Sequence, residues 1–176
     1  MIARGMIHGR FQPFHNGHLE YLQGAAWRCE EVFVGITNPD PQRIKPESSD
    51  PLRHLPESNP YTYFERLLMV KAAATDAGIE PARLHVIPFP VNEPELWSAY
   101  VPEGVVQFIR LFSDWGGMKL ERLREAGYEV VVLDEGAGKE VSGVDVRRAL
   151  REGGDWEALV PPGVATLLKG LERVSV

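Results

Sequence analysis

Two closely spaced histidines are the residues of this sequence best suited to chemistry. His15 and His18 lie in the string G-R-F-Q-P-F-H-N-G-H, which occupies positions 9–18. Residues three apart on a helix share one face, so a helix through this string would point both imidazole rings to the same side of its first turn. The string therefore presents two ring side chains to whatever binds at that turn.

The residues around the histidines predict a strand, a tight turn and a helix. An apolar pair precedes the string, and residues 19–26 leave it at helical period, so the helix should begin close to Asn16. A helix N-terminus at the end of a strand presents unpaired N–H groups and a positive dipole end, which suits phosphate. Gly9 and Gly17 would let the backbone approach a ligand, and Pro13 stiffens the turn.

The string resembles the signature of the H-x-G-H nucleotidylyltransferase superfamily, and specifically the branch typified by archaeal-type nicotinamide mononucleotide (NMN) adenylyltransferases. The resemblance implies that His15 and His18 contact a nucleoside triphosphate, with His18 against the α-phosphate. It also implies that Arg10 and the backbone beside Phe11 bind phosphate.

There are two other interpretations of His15 and His18. They could be ordinary surface or core residues, or they could bind a metal ion. The second is disfavoured because no Cys or carboxylate cluster accompanies the pair.

A second segment, S-G-V-D-V-R at 142–147, indicates another phosphate-binding helix N-terminus. Ser142 would act as N-cap and phosphate ligand together, beside Gly143. The segment is similar to the family's second signature, S-x/G-T-x-x-R, which implies that Arg147 reaches the leaving pyrophosphate. Val144 stands where family members usually carry Thr, and this removes one hydroxyl contact. Lys139, in the preceding turn, is a further candidate phosphate ligand.

Three more sets of residues are expected at the site. Arg66 belongs to a Glu-Arg pair whose Arg, by the resemblance, points into the phosphate site, although a surface salt bridge is the alternative. Trp97 matches a family Trp that stacks on nicotinamide, or is a core residue. We expect the long Pro-rich loop 38–59 to be a partly mobile flap whose Arg43 and Lys45 bind an anionic acceptor. The alternative is a solvated, disordered insertion.

Alternating apolar runs and helical segments predict an α/β fold with a doubly wound parallel sheet of about five strands. We expect one domain over 1–176, and the resemblance implies the Rossmann-like nucleotidylyltransferase fold. Ligands of such sheets bind beyond the carboxyl ends of the strands. After the first strand, the remaining strands are expected at 32–36, 85–89, 105–112 and 128–133; helices after the first are expected at 62–78, 119–126, from 143, and at 163–171.

Composition limits the possible classes of protein. The 176 residues are 44% hydrophobic and 25% charged, as in one ordinary globular domain. A net charge of −6 argues against a broad nucleic-acid or membrane surface. The single cysteine, Cys29, excludes an internal disulfide and a Cys-based zinc site. No apolar run reaches membrane-spanning length and no signal-peptide pattern is present, so we expect a cytoplasmic protein.

The resemblance implies transfer of a nucleotidyl group from a nucleoside triphosphate, with ATP favoured, to a phosphate-bearing small acceptor such as NMN. We expect Mg²⁺ to arrive with the triphosphate.

A CTP-dependent cytidylyltransferase acting on a small phosphonate is the alternative, because N-P-D at 38–40 and D-W-G at 114–116 resemble such enzymes. A catalytically dead sensor has no reason to keep both motifs, and a hydrolase would need an acidic base that the first motif lacks. The sequence is compatible with a homo-oligomer.

Overall fold

The computed structural model describes residues 1–46, 52–111, 114–135 and 141–172. Its strands are β1 (Ile2–Gly9), β2 (Cys29–Thr37), β3 (Leu84–Phe89), β4 (Val106–Leu111) and β5 (Val130–Glu135). Its helices are α1 (Asn16–Ala26), α2 (Tyr63–Asp76), α3 (Asp114–Glu125), α4 (Gly143–Glu152) and α5 (Pro162–Glu172). All strand pairs are parallel, in the order β3-β2-β1-β4-β5. The predicted fold class is confirmed.

Separate hydrophobic cores cover the two faces of the sheet. Successive strand residues point to opposite faces, so Ile7 packs in the core that includes α1, α2 and α5, while Met6 packs in the core that includes α3. Gly35 allows the second core to close, because a Cβ there would lie 2.4 Å from Met6 Cε and 2.9 Å from Phe89 Cβ. No helix in the described ranges is both long and apolar enough to cross a bilayer.

The central strands part near their carboxyl ends. The β1–β4 ladder pairs Gly5 with Val106 and Met6 with Gln107, whereas β1 pairs with β2 as far as Gly9. Tyr21 of α1 bridges the gap, because its buried hydroxyl donates to the Phe108 carbonyl and accepts from the His8 backbone N–H. The chain order reverses between β1 and β4, and a crevice forms where such a reversal occurs.

The structure moves several expected boundaries. Helix α3 begins at Asp114 rather than at 119, although this start places two glycines inside the helix at a cost of about 1 kcal/mol each. The described parts of the loop 38–59 contain short 3₁₀ turns at Pro41–Arg43 and Pro56–Ser58, and another turn spans Pro94–Ala99. The mobility of that loop and the single-domain span 1–176 stay predictions.

Candidate active site

The turn between β1 and α1 is shaped by the aromatic ring packed under it. Phe11 has a φ of 52°, in the left-handed region, and its side chain is fully buried. A Cβ on Gly9 would lie 2.9 Å from the Phe11 ring, so a larger residue would push the turn open. The Phe14 ring stacks on Phe11 with the centroids 5.2 Å apart. The backbone around Phe11 therefore has one packed conformation at the carboxyl end of β1.

The two histidines lie together at the start of α1. Their rings stack with centroids 3.6 Å apart and planes at 21°. The backbone N–H of His15 donates to Nδ1 of His18 at 3.3 Å, so in the neutral ring the proton of His18 resides on Nε2. The edge of that ring meets Phe11 at 4.9 Å. His18 is thus held in an orientation in which Nε2 is the hydrogen-bond donor.

The second predicted motif begins α4 with a complete capping box. The Asp145 backbone N–H donates to Ser142 Oγ at 3.3 Å, and the Ser142 backbone N–H donates to Asp145 Oδ2 at 3.0 Å. The hydroxyl of Ser142 also donates to Asp145, and this bond is the largest of the influences that lower the pKa of the Asp145 carboxyl. The first-turn N–H groups have no partner within the helix, as at any helix N-terminus.

The two motifs meet across the crevice, as their pairing in the sequence predicts. Arg147 is 8% exposed, and its guanidinium donates to the Gln12 carbonyl at 2.5 Å. A Cβ on Gly143 would lie 3.0 Å from that same carbonyl oxygen, so glycine lets α4 approach the turn. On α1, a Cβ on Gly17 would lie 3.5 Å from the Val141 carbonyl oxygen. The N-termini of α1 and α4 therefore face one site.

Gln12 fixes the turn to the chain ahead of α2. Its side-chain amide donates to the Tyr61 carbonyl at 2.8 Å and accepts from the Tyr61 N–H at 2.9 Å. Arg10 donates to the Arg53 carbonyl at 3.1 Å, within the same neighbourhood. Sequence reasoning placed Arg10 at the site but did not single out Gln12. In the sequence, the one sign of its role is that a polar residue stands between Phe11 and Phe14. The contact with Tyr61 explains why it is polar.

Arg66 is buried and bonds to the backbone. It is 2% exposed, and its guanidinium donates at 2.7–3.2 Å to four backbone carbonyls, those of Arg10, Thr37, Asn38 and Thr62. Burial lowers its pKa to about 10, so it stays charged at neutral pH. This geometry makes Arg66 a clamp between the ends of β1 and β2 and the start of α2, and its expected contact with phosphate stays a prediction.

Trp97 is buried in the second core. Lys139, the other candidate, lies outside the described residues. Trp97 is 2% exposed, its indole N–H donates to the Pro90 carbonyl at 2.9 Å, and its ring packs against Phe89. A ring so enclosed offers no face on which a ligand can stack. The burial of Trp97 therefore favours the alternative stated above, in which this residue belongs to the core.

Arg43 and Lys45 do line a pocket, as the acceptor hypothesis requires. The pocket encloses about 630 Å³, counted out to its open mouth, between the loop after β2 and the turn after β3. Arg43 forms an ion pair with Glu93 across it, with 2.5 Å between the nitrogen and oxygen atoms. Sequence reasoning missed Glu93, because nothing in its local pattern indicates that the two loops meet.

This arrangement defines the class of protein. Helix N-termini at the switch point of a parallel sheet are features that bind phosphate groups in α/β proteins, and here two of them lie beside a donor imidazole. Residues 6–149 match the family model described as cytidylyltransferase-like. The chain is 50% identical over 165 residues to a phosphonoformate cytidylyltransferase of Streptomyces viridochromogenes, covering 94% of this chain and 90% of that protein.

Other comparisons agree with that class. The chain is 34% identical to a nicotinamide-nucleotide adenylyltransferase of Thermococcus kodakarensis, covering 100% of this chain and 89% of that protein. A bifunctional NMN adenylyltransferase/ADP ribose pyrophosphatase of Francisella tularensis shares the fold, with a TM-score of 0.72, 17% identity, and coverage of 98% of this chain and 50% of that one. The chain belongs to the cytidylyltransferase-like family and is a nucleotidyltransferase.

The clamp assigned to Arg66 predicts a loss of stability even from a conservative change. Arg66→Lys keeps the charge but cannot reach four carbonyls, so urea denaturation should show a free energy of unfolding lower by about 2–4 kcal/mol. The exposed control Arg4→Lys should change it by less than about 0.5 kcal/mol. An Arg66→Lys protein as stable as the wild type would contradict the clamp.

Proposed function

We propose that the protein transfers a nucleotidyl group from a nucleoside triphosphate to a compact acceptor that carries a phosphonate or phosphate. The observation that carries this proposal is the bond from Arg147 to the Gln12 carbonyl, since it brings the two phosphate-binding motifs to one place. An acceptor oxygen attacks the α-phosphorus in line, the bond to the bridging oxygen breaks, and pyrophosphate leaves. No covalent enzyme intermediate is required.

The side chains divide the work along the triphosphate. His18 donates its Nε2–H to an oxygen of the α-phosphate, where negative charge is stabilised in the transition state. His15 stacks beneath His18 and holds its ring, while the N-termini of α1 and α4 attract the remaining phosphates. Arg147 neutralises the leaving pyrophosphate. Its position, held by the Gln12 carbonyl, is fixed before the substrate binds.

Mg²⁺ enters this proposal bound to the triphosphate. The described ranges contain no group of three or more His, Cys, Asp or Glu residues that could hold a metal ion. The few basic groups at the site leave much of the triphosphate charge unneutralised, and a divalent ion bound with the triphosphate would supply the missing positive charge. The residues that would receive such a complex are the two helix N-termini and Arg147.

Two substrate pairs are consistent with this chemistry. Transfer from CTP to a small phosphonate is supported by the relative named phosphonoformate cytidylyltransferase, at 50% identity. Transfer from ATP to NMN is supported by the archaeal relatives at about 34%. We give the first precedence for the acceptor because the burial of Trp97 removes the stacking face expected for a nicotinamide ring.

Measurement of pyrophosphate release tests the proposal directly. Each of the four ribonucleoside triphosphates is incubated with either NMN or phosphonoformate, with Mg²⁺ present. We expect the fastest release with CTP and phosphonoformate. Fastest release with ATP and NMN would establish the second substrate pair instead, and release with neither acceptor would overturn nucleotidyl transfer to these acceptor classes.

Replacement of His18 should separate catalysis from nucleotide binding. His18→Ala removes the donor to the α-phosphate, so turnover should fall by about two to four orders of magnitude, with a much smaller change in the Kd of the triphosphate. His85→Ala is the matched control, because that ring pairs with Glu31 at the start of β3, away from the site. Full turnover in His18→Ala would exclude the role assigned to this ring.

The pocket between the two loops predicts which constant a mutation there will change. Arg43→Ala or Lys45→Ala removes a cation from the pocket wall, so the acceptor KM should rise about tenfold or more while the KM of the triphosphate stays nearly constant. Lys71→Ala, exposed on α2, is the control and should change neither constant. Unchanged acceptor KM in both pocket variants would remove this pocket from the acceptor site.

A further inference from the structure

The pocket between the loop after β2 and the turn after β3 is lined by charges of both signs. Its lining includes two cations and two carboxylates: Arg43, Lys45, Asp40 and Glu93. The Asp40 carboxylate is used within its own turn, where it accepts a hydrogen bond from the Gln42 backbone N–H at 2.9 Å. Glu93 instead reaches across the pocket to Arg43. Of the two carboxylates, Glu93 is therefore the one that pairs with a cation of the pocket wall.

The two partners of this ion pair are held differently. The Glu93 side chain is 20% exposed, and its backbone is fixed on both sides by hydrogen bonds of 2.9 Å, to the Pro90 carbonyl and from the Leu96 N–H. The Arg43 side chain is 62% exposed and extends from a short 3₁₀ turn. The carboxylate is therefore the fixed partner, and the guanidinium, on its long flexible stem, is the one that can turn towards a ligand.

A ligand can replace Glu93 as the partner of Arg43. An ion pair with an exposed member gains little stability, because water screens the attraction and a long side chain must be ordered. An acid group of an acceptor offers the guanidinium the same charge-assisted hydrogen bonds that the carboxylate does. After such an exchange Glu93 still lines the pocket, so its negative charge acts on whatever the pocket holds.

Arg66 fixes this pocket beside the turn after β1. Asn38 lines the pocket, and its carbonyl accepts from the Arg66 guanidinium at 2.9 Å. The same guanidinium donates to the Arg10 carbonyl, within that turn, also at 2.9 Å. An acceptor in the pocket is therefore next to the turn at which, in the proposed function, the α-phosphate binds.

From this geometry we infer that Glu93 is a specificity-determining residue of the acceptor pocket, which competes with the acceptor for Arg43 and sets the charge that the pocket favours. The inference rests on the proposed nucleotidyl transfer and makes its acceptor class more specific. An acceptor whose second group is anionic must displace Glu93 from Arg43, so Glu93 limits its affinity. An acceptor whose second group is cationic is attracted by the same carboxylate.

The test uses three compact phosphonates that differ in the charge of the second group. Phosphonoformate carries a carboxylate, methylphosphonate a neutral methyl group and aminomethylphosphonate an ammonium group. Glu93→Gln removes the negative charge and keeps the shape of the side chain. We expect kcat/KM to rise about three- to tenfold for phosphonoformate through a lower KM, to fall by about the same factor for aminomethylphosphonate, and to change by less than about twofold for methylphosphonate.

Opposite signs for the two charged groups separate a charge effect from a loss of packing or stability. A phosphonate that is not turned over is measured as a competitive inhibitor of the acceptor that is. If ATP and NMN prove to be the substrate pair, Glu93→Gln should raise the KM of NMN, because the pyridinium ring of NMN is cationic. An unchanged or lower KM of NMN would then contradict the role of Glu93.

Two further variants serve as controls. Glu95→Gln makes the same change of charge at an exposed residue of the adjoining turn, outside the pocket lining, and should change kcat/KM for none of the acceptors. Glu93→Asp keeps the charge and should keep the wild-type order of the three phosphonates. Changes of the same sign for phosphonoformate and aminomethylphosphonate, or no change for either, would overturn the role of Glu93 while leaving nucleotidyl transfer intact.

Failure of the proposed function has a separate signature, which is the absence of pyrophosphate release by the wild type with every acceptor, NMN included. Calorimetric titration of phosphonoformate and aminomethylphosphonate into the wild type and Glu93→Gln then decides the role of Glu93. Affinities that change in opposite directions would support the charge selection. Equal affinities of the two proteins, or no binding to either, would exclude it.

Discussion

The buried guanidinium of Arg66 is the constraint on which the phosphate half of the site depends. A charge removed from water is tolerated only when nearly all of its donors are used, and here backbone carbonyls from three segments use them. Those carbonyls belong to the turn after β1, the end of β2 and the residue that caps α2. Because no side chain of opposite charge is needed, the clamp fixes backbone positions directly. The turn that carries His15 and His18 therefore has a rigid neighbour.

A second clamp continues this arrangement to α4. Arg147 bonds to the Gln12 carbonyl, and the side chain of Gln12 pairs with the backbone of Tyr61 just before α2. Arg66, Arg147 and the side-chain amide of Gln12 thus connect the turn after β1 to α2 and α4 through hydrogen bonds to backbone atoms. Preorganisation of this kind means that donors need not rearrange as charge develops on the phosphates. It also explains how an acidic protein, with a net charge of −6, binds a polyanion: its local charges and dipoles are concentrated at one crevice.

Local patterns predicted the elements that carry the proposed phosphate half of the site, because their determinants are contiguous in the chain. The capping residue Ser142, the start of α1 at Asn16 and the parallel sheet all follow from short strings and apolar periodicity. For Arg66 and Trp97 the sequence left a ligand contact and a structural role both open, and their burial could not be predicted because it depends on segments distant in sequence.

The site separates the chemistry that every nucleotide shares from the chemistry that distinguishes acceptors. The phosphate half uses backbone groups and two strings at the ends of β1 and before α4, so its geometry is tied to the sheet itself. The acceptor half, as we propose it, uses side chains from the loop after β2 and the turn after β3. A change of these side chains removes no partner of Arg66 or Arg147, because both arginines bond to backbone carbonyls. One scaffold is thereby compatible with relatives named for both phosphonoformate and nicotinamide nucleotide.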